Sequence, residues 1–213
     1  MPKSISPGFV KICGVTTVDD AKYVVSAGAS ALGLILAESS RRVSLEQARE
    51  VANATEGDLL RFAVFRHNDD DFILEHVDAL NVDVVQVHGE LSNVLLNALR
   101  ERPVLVVKAL SVDEPSFLDF DETTVDAVLV DSPRPGSGES YSWKLLNERE
   151  FRVPVIAAGG MNPLNVADVV ASTTVSGVDS SSGVERRPRE KDHELVDRFI
   201  ANARGAFASR EST

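Results

Sequence analysis

Residues 153–184, VPVIAAGGMNPLNVADVVASTTVSGVDSSSGV, contain two strand patterns separated by one helical pattern. The apolar run 153–157 predicts a strand, and residues 162–171 predict a helix in which Pro163 takes the first position. Residues 174–178 predict the next strand. Nearly continuous apolar runs of this kind are typical of parallel strands that are covered on both faces. The stretch therefore predicts a strand–helix–strand unit in which a loop of small residues follows each strand.

The same alternation of short apolar runs and amphipathic segments continues along the whole chain of 213 residues, and no linker interrupts it. The predicted strands are residues 9–13, 31–36, 60–65, 82–87, 104–108, 126–130, 153–157 and 174–178. The predicted helices are residues 17–27, 44–53 with Ser44 as N-cap, 69–80, 91–101, 113–120, a short one from about 142, 162–171 and 190–204. Residues 205–213 are polar, and we expect them to form a frayed tail.

Eight strand–helix units in a chain of this length predict an α/β protein of one domain, residues 1–213. The expected architecture is a (β/α)8 TIM barrel with eight parallel strands. The competing architecture is a doubly wound open sheet, which usually has fewer strands and a GxGxxG turn after the first strand. Here the first turn reads Cys13-Gly14-Val15-Thr16, which favours the barrel.

The charge balance limits the classes of partner. Thirty-three Asp and Glu residues against 22 Lys and Arg give a formal net charge of −11, which repels nucleic acid and anionic lipid but permits a small anionic substrate. The single cysteine, Cys13, excludes an internal disulfide and a cysteine-based zinc site. The N-terminus lacks the apolar segment of a signal peptide, and the longest apolar run, 29–37, is about half a membrane span. We therefore expect a cytoplasmic protein without a membrane anchor.

In a (β/α)8 barrel the catalytic groups stand where strands run into the loops that follow them. Cys13 stands at such a position, at the end of the first predicted strand. A lone cysteine is most often buried and inert, but here glycine follows it and Lys11 lies on the same face of the strand. As a general base Cys13 needs a pKa below the usual value of about 8.5, and Lys11 is the expected source of positive charge.

Asp131 ends the sixth apolar run, where burial can keep a carboxyl group partly protonated, as a general acid must be. The alternative for Asp131 is a loop cap that bonds the backbone of Ser132 or Arg134. Arg41 follows the second strand, where a guanidinium group can either clamp a carboxylate or remain a solvated charge.

Three further residues at strand ends are candidates for binding a substrate: Lys11, Gln86 and His88. The residues themselves favour a structural histidine that bonds a loop as the role of His88. Lys108, at the end of the fifth predicted strand, fits a packed lysine whose aliphatic stem lines the mouth of the barrel. The sequence alone does not decide between these roles.

Two loops of small residues follow strands seven and eight, which is the usual phosphate-binding position in this barrel. Gly159 and Gly160 offer backbone N–H groups at the predicted start of a helix, although a tight turn explains two glycines equally well. The loop after strand eight adds small side chains and hydroxyls. The candidate phosphate-binding residues are Gly159, Gly160, Asp179, Ser181, Ser182 and Gly183.

Several short segments occur in the same order as in one known family. They are KICGVT (11–16), SSRRVS (39–44), VQVHGE (85–90), VDS (130–132), GGMNPLNV (159–166), VDSSSGVE (178–185) and KDH (191–193). Over almost its whole length the chain resembles the phosphoribosylanthranilate isomerases of tryptophan biosynthesis.

This resemblance implies an Amadori rearrangement of N-(5-phosphoribosyl)anthranilate to 1-(2-carboxyphenylamino)-1-deoxyribulose 5-phosphate. Asp131 matches the family's general acid at the ribose ring oxygen, and Cys13 matches its general base at C2 of the sugar. Arg41 matches the arginine that binds the anthranilate carboxylate, and the two loops of small residues match the phosphate site. The resemblance implies a small phosphorylated substrate and no metal or cofactor. The sequence leaves the choice between a monomer and a homodimer open.

Two segments depart from the family's pattern. In the loop 133–141, Pro135 replaces a glycine and Glu139 stands where a lysine is usual. The loop before Arg41 is shortened, and Arg42 occupies a position that is usually aromatic. These differences bear on substrate affinity and specificity more than on the class of reaction.

Two other functions stay open at this point. The related phosphoribosyl isomerase of the histidine pathway resembles a duplicated half-barrel with aspartates as both acid and base, whereas here a cysteine ends the first strand. A barrel that only binds a phosphorylated ligand needs little more than the loops after strands seven and eight. The joint presence of Cys13, Asp131 and Arg41 therefore favours an enzyme.

Overall fold

Eight parallel strands close into a barrel in the computed structural model, which describes residues 4–133 and 142–211. The strands are β1 (Phe9–Cys13), β2 (Ala31–Ile35), β3 (Leu60–Arg66), β4 (Val84–His88), β5 (Leu105–Ser111), β6 (Ala127–Asp131), β7 (Val155–Ala157) and β8 (Gly177–Ser180). Each strand pairs with the next one along the chain, and β8 returns to pair with β1. This architecture confirms the predicted (β/α)8 TIM barrel.

Helices or short helical turns follow the strands. The helices are α1 (Val18–Ser26), α2 (Leu45–Ala54), α3 (Asp70–Ala79), α4 (Asn93–Arg100), α5 (Ser116–Asp119), α6 (Val166–Ser172) and α7 (His193–Glu211), and a 3-10 turn at Trp143–Asn147 stands where the short helix after the sixth strand is expected. The Ser44 hydroxyl accepts from the Gln47 N–H at 3.1 Å and caps α2, as the sequence predicts. None of the helices in the described ranges is long and apolar enough to span a bilayer.

Apolar side chains fill the barrel interior and, separately, the space between the barrel and its helices. Strand β1 shows the division, because Phe9 and Cys13 face the interior whereas Val10 and Ile12 pack towards the helices. Lys11 shares the inward face with Phe9 and Cys13, since side chains alternate along a strand. The first strand therefore carries an amine and a thiol along the inside of the barrel towards its carboxyl end.

The segment after β8 differs from the prediction. The sequence predicts a helix from Glu190, but β9 (Glu185–Arg187) and β10 (Glu190–Lys191) pair as a short antiparallel ribbon, and α7 begins only after it. The Thr16 hydroxyl donates to the Arg189 carbonyl at 2.9 Å and ties the turn of the ribbon to the loop after β1. A contact with a distant part of the chain therefore overrides the local helical pattern.

The end of α7 also corrects the expectation of a frayed tail. Residues 205–211 continue the helix, whereas 212–213 lie outside the described residues. Phe207 is 3% exposed and packs in the core. The Arg210 guanidinium donates to the carbonyls of Thr173 at 3.0 Å and Val175 at 2.8 Å. These contacts hold the last turns of α7 against the body of the barrel.

Arg210→Met tests this anchoring. The variant removes hydrogen bonds from a guanidinium group to backbone carbonyls, so we expect the free energy of unfolding to fall by about 1–3 kcal/mol. Arg198→Met is the matched control, because Arg198 lies on the exposed face of the same helix. We expect this variant to change the free energy of unfolding by less than about 0.5 kcal/mol. Urea unfolding followed by circular dichroism measures both, and equal stability of the two variants would mean that the end of α7 is frayed.

Candidate active site

A cavity of about 380 Å³ lies at the carboxyl ends of the strands. Its lining includes most of the predicted site residues: Cys13, Arg41, Gln86, His88, Asp131, Gly159, Gly160, Asp179, Ser181 and Ser182. Lys11 and Gly183 pack behind this lining rather than in it. Within residues 4–133 and 142–211, no group of three His, Cys, Asp or Glu side chains is placed to hold a metal ion.

Lys11 and Asp179 form an ion pair inside the barrel. The Lys11 ammonium donates to Asp179 Oδ2 at 3.0 Å, and Lys11 is fully buried. Burial alone disfavours the charged amine, but the negative charge of Asp179 and its hydrogen bond to the ammonium favour it, and the pKa of Lys11 is raised. Lys11 therefore stays cationic beneath the cavity, where it acts on the groups above it through its charge.

The Cys13 thiol is 6% exposed and lies at the floor of the cavity. Burial raises the pKa of the thiol, and the nearby Lys11 and Lys191 ammonium groups only partly oppose this effect. Lys11 does supply positive charge, but the fold alone does not give Cys13 the lowered pKa that a general base needs, because loss of solvation outweighs the attraction to the two cations. The thiol stays protonated until something else stabilises its anion.

Asp131 has features of both alternatives that the sequence leaves open, the loop cap and the buried carboxyl group. Its Oδ1 accepts from the Ser132 N–H at 2.7 Å, as a loop cap does. Burial nevertheless raises the pKa of Asp131 to about 6, because the Ser132 hydrogen bond and Lys11 offset only part of the lost solvation and Asp179 adds a further negative charge. A carboxyl group with this pKa can both hold and release a proton near neutral pH.

Gln86 and His88 form a neutral polar pair on β4. The Gln86 Nε2 lies 2.9 Å from the His88 Nε2, within hydrogen-bond distance. Burial, reinforced by the nearby Lys108 and Lys11 charges, lowers the pKa of His88 to about 3. His88 therefore offers the cavity an uncharged imidazole, which fits a partner for a hydroxyl group rather than a binder of anions.

Three buried polar atoms of the cavity lining have no hydrogen-bond partner within the described part of the chain: Gln86 Oε1, Asp179 Oδ1 and Ser181 Oγ. Two of these atoms can only accept a hydrogen bond, and the third can accept or donate one. Unpaired buried polar atoms are costly, and all three belong to residues that line one cavity, which fits a site for a ligand that forms hydrogen bonds.

Arg41 lines the cavity and is 6% exposed, so it is a packed group rather than a solvated surface charge. Its guanidinium donates to the carboxylate of Glu185, with Nε–Oε1 at 2.8 Å and Nη2–Oε2 at 2.7 Å. Sequence reasoning missed Glu185 as a partner of Arg41. The two residues are 144 positions apart, and the only signal was the position of Glu185 at the end of the segment VDSSSGVE.

The two candidate phosphate loops are packed against each other. The Ser180 hydroxyl donates to the Met161 carbonyl at 2.7 Å, and a Cβ at Gly183 would lie 1.9 Å from that same oxygen. Only a residue without a side chain fits at position 183, because any Cβ there would clash with the neighbouring loop. Gly159 and Gly160 have φ of 85° and 65°, which only glycine adopts readily.

The predicted helix start at Asn162 is wrong, because α6 begins at Val166. Residues 162–165 instead form a turn in which the Asn162 side chain accepts from the Leu164 N–H at 2.8 Å. The loop 159–165 therefore does not present the N-terminus of a helix to the cavity. The Asp179 carboxylate repels an anion and cannot donate a hydrogen bond, so Asp179 could contribute to a phosphate site only through its backbone.

Lys108 does not belong to the lining of this cavity. Lys108 donates from Nζ to the Ala109 carbonyl at 2.5 Å and lies 6.0 Å from the Phe120 ring, and burial lowers its pKa to about 8. It is a packed lysine on the outer side of β5. The differences expected at Pro135 and Glu139 lie outside the described residues.

A family model matches nearly the whole chain. It is described as N-(5'phosphoribosyl)anthranilate (PRA) isomerase and matches residues 10–202. The N-(5'-phosphoribosyl)anthranilate isomerase of Oceanobacillus iheyensis is 33% identical over 199 residues, covering 91% of this chain and 96% of that protein. The Streptococcus pneumoniae enzyme of the same name is 37% identical over 191 residues, covering 90% and 93%.

Solved structures show the same similarity. The phosphoribosyl anthranilate isomerase of Thermus thermophilus has a TM-score of 0.80 at 33% identity, covering 91% of this chain and 97% of that chain. A phosphoribosyl anthranilate isomerase in complex with reduced 1-(o-carboxyphenylamino)-1-deoxyribulose 5-phosphate has a TM-score of 0.79 at 32% identity, covering 92% and 98%. Monomers generated from the dimeric Thermotoga maritima isomerase have a TM-score of 0.82 at 32% identity, covering 92% and 98%.

Asp131→Asn tests the raised pKa through stability. The pKa of Asp131 is about 6 in the fold against its usual 3.8, so the folded protein holds the proton more tightly than the unfolded chain. The contribution of this carboxyl to stability is complete below about pH 4 and is lost as the pH rises through 6. An asparagine cannot ionise and escapes this loss. We expect the free energy of unfolding of the variant, relative to wild type, to rise by about 2–3 kcal/mol between pH 4 and pH 8.

Urea unfolding at the two pH values measures this difference. Asp58→Asn, at an exposed aspartate, is the matched control and is expected to show no comparable change relative to wild type. A stability difference between Asp131→Asn and wild type that stays constant from pH 4 to pH 8 would contradict the raised pKa.

Proposed function

Because the chain belongs to the N-(5'-phosphoribosyl)anthranilate isomerase family, we propose that its cavity carries out the family's reaction with Cys13 as general base and Asp131 as general acid. The reaction is the Amadori rearrangement of N-(5-phosphoribosyl)anthranilate to 1-(2-carboxyphenylamino)-1-deoxyribulose 5-phosphate in tryptophan biosynthesis. The observation that carries the assignment of roles is the single cavity that joins Cys13, Asp131, Arg41 and the two loops of small residues.

Each part of the substrate has a matching part of the cavity. The phosphate would lie at the loops after β7 and β8, where Gly159, Gly160 and the segment 181–183 present backbone amides. The anthranilate carboxylate would lie against the Arg41 guanidinium. The ribose then lies between these ends, where Gln86 and His88 can bond its hydroxyls.

The first chemical step opens the ribose ring. Asp131 donates its proton to the ring oxygen, and the C1–O bond breaks while the lone pair of the anilino nitrogen forms a C1=N double bond. The product is an open-chain, protonated Schiff base. Asp131 is left as a carboxylate, which its hydrogen bond from the Ser132 N–H stabilises.

The second step forms the enolamine. The Cys13 thiolate removes the proton from C2, the electrons of that bond form a C1=C2 double bond, and the C=N electrons return to nitrogen. Tautomerisation then moves the proton of the C2 hydroxyl to C1 and leaves a ketone at C2. Cys13 ends as a thiol, and exchange of protons with solvent restores both groups.

The two pKa shifts decide which protonation state is reactive. Near neutral pH Asp131 is largely ionised and the buried Cys13 keeps its proton, which is the reverse of what the reaction requires. The resting state has an ionised Asp131 and a Cys13 thiol, and the reactive state has a neutral Asp131 and a Cys13 thiolate. The two states carry the same number of protons, so the transfer of one proton from the thiol to the carboxylate leaves the net charge of the cavity unchanged. Bound substrate excludes water and favours the neutral carboxyl, and the cationic Schiff base then stabilises the thiolate beside Lys11.

The biological setting follows from the same proposal. A reaction of amino-acid biosynthesis on a phosphorylated metabolite supports a cytoplasmic location and a small-molecule substrate as partner, with no cofactor. The dimeric isomerase of Thermotoga maritima supports a homodimer as one possible state of this chain, with a monomer as the other.

Cys13→Ser and Asp131→Asn test the two roles. We expect each substitution to lower kcat by about 10²–10⁴-fold, because each removes one proton-transfer group and leaves the binding groups in place. The assay follows the loss of substrate fluorescence, and circular dichroism checks that the barrel is intact. Asp58→Asn serves as the exposed control, with unchanged kcat. A near wild-type kcat in either folded variant would contradict the role of that residue.

Gly33→Ala tests how the thiol is placed. Gly33 pairs with Cys13 across β1 and β2, and a Cβ there would lie 2.7 Å from the Cys13 Sγ. The added methyl must displace the thiol, so we expect kcat to fall by about 10²-fold while the circular dichroism spectrum is retained. Gly205→Ala is the matched control, because nothing lies within 4 Å of the Cβ built there. Equal kcat values in the two variants would mean that the position of the thiol does not limit the reaction.

A further inference from the structure

Beside the cavity, Arg41, Glu185 and Lys191 form a buried ionic cluster. Arg41 and Glu185 share the two hydrogen bonds described above, and the Lys191 ammonium donates to Glu185 Oε1 at 3.1 Å. The side chains of Arg41, Glu185 and Lys191 are only 8%, 4% and 1% exposed. Three buried charges are costly to desolvate, so an arrangement of this kind needs a reason beyond stability.

We propose that Glu185 and Lys191 are positioning residues that fix the plane of the Arg41 guanidinium and thereby give the site its preference for a substrate with a carboxylate on its aromatic ring. The inference rests on the proposed function, in which Arg41 binds that carboxylate. Glu185 and Lys191 act through Arg41, and neither is assigned a contact with the substrate.

The first support is the geometry at Arg41. Hydrogen bonds from both Nε and Nη2 to one carboxylate fix the plane of the guanidinium, which a single bond would leave free to rotate. The stem is held as well, since a Cβ at Gly14 would lie 2.6 Å from the Arg41 Cδ. An arginine that is already ordered loses less side-chain entropy when a ligand binds, and this strengthens the binding.

The second support is the charge count. Arg41 and Glu185 alone form a neutral pair, which attracts a carboxylate weakly. Lys191 donates to the same Glu185 oxygen as the Arg41 Nε and adds a second positive charge, so the cluster as a whole is cationic. Lys191 also donates to the Ser181 carbonyl at 3.1 Å, which connects the cluster to the candidate phosphate loop. The carboxylate site and the phosphate site therefore share one buried lysine.

The third support is the scaffold that carries the cluster. Glu185 lies in β9 and Lys191 in β10, so the short ribbon supplies both residues. Arg189, at the turn of the ribbon, donates to the Arg42 carbonyl at 2.7 Å and to the Ser40 carbonyl at 3.3 Å. These bonds tie the ribbon to the backbone on both sides of Arg41, so Arg41 is fixed through its main chain and through its side chain.

A competing role for Glu185 predicts the opposite effect. As a competitor for Arg41, Glu185 would occupy the place of the substrate carboxylate, and its removal would strengthen binding. As a positioning residue, its removal weakens binding, because Arg41 loses its fixed orientation and lies beside an uncompensated Lys191. The sign of the change in affinity therefore separates the two roles.

The experiment compares two ligands by calorimetry in the full chain. One is reduced 1-(o-carboxyphenylamino)-1-deoxyribulose 5-phosphate, and the other is the same compound without the carboxylate. For Glu185→Gln we expect the affinity for the first ligand to fall about tenfold and that for the second to change less than twofold. Lys191→Met also loses its bond to the Ser181 carbonyl, so it is expected to weaken both ligands, the first about tenfold more than the second. Glu190→Gln, which removes the same charge from the exposed side of the ribbon, is the matched control and leaves both affinities unchanged.

Two further variants keep the outcomes distinct. Arg41→Gln should weaken binding of the carboxylate ligand alone; if it weakens both ligands equally, the carboxylate role of Arg41 fails and the inference falls with it. If Arg41→Gln discriminates between the ligands but Glu185→Gln and Lys191→Met do not, only the positioning role is wrong. Tighter binding of the carboxylate ligand by Glu185→Gln would also overturn the positioning role.

Glu185→Asp keeps the charge on a shorter side chain and tests the positioning role even if Glu185→Gln does not fold. An intermediate loss of affinity that is confined to the carboxylate ligand supports the positioning role. Wild-type selectivity between the two ligands contradicts it.

Discussion

The ion pair between Lys11 and Asp179 is the interaction on which both the fold and the site depend. It joins two residues that are register partners of β1 and β8, the strands whose pairing closes the barrel. A buried, charged lysine without a partner would destabilise the fold. Lys11 therefore needs Asp179 beside it, and the pairing of β1 with β8 that closes the barrel brings the two residues together. Because Cys13 lies on the same face of β1, the pair also sets the charges that act on the thiol, with Lys11 favouring its anion and Asp179 opposing it.

The cavity above this pair concentrates groups that weaken the fold and serve the reaction. The buried Asp131 carboxyl costs stability as the pH rises, and three polar atoms of the lining have no partner within the described residues. Elsewhere the chain buries apolar side chains on both faces of its strands and caps helix α2 with a complete capping box, as stable proteins usually do. Departures from such rules that cluster in one place are typical of a functional site. In this chain they all lie in residues that line one cavity.

Much of the fold and part of the site could be predicted from the sequence, because strand ends can be located from apolar runs alone. The eight runs place Cys13, Gln86 and Asp131 at one rim without any knowledge of distances. Contacts between distant parts of the chain could not be found in this way. The partnership of Arg41 with Glu185 depends on such a contact, and the same is true of the ribbon that replaces the predicted helix start. The direction of the pKa shift of Cys13 also needed the structure, since it results from burial set against the charges around the thiol.

The most direct test of the account is the rate at which the purified wild-type chain converts N-(5-phosphoribosyl)anthranilate. The labile substrate is generated in situ from anthranilate and phosphoribosyl pyrophosphate by its transferase, and its fluorescence is followed over time. The account predicts a rapid loss of fluorescence that is proportional to the amount of enzyme added, with the deoxyribulose phosphate as product. A folded protein that leaves the fluorescence decay at its uncatalysed rate would contradict the account.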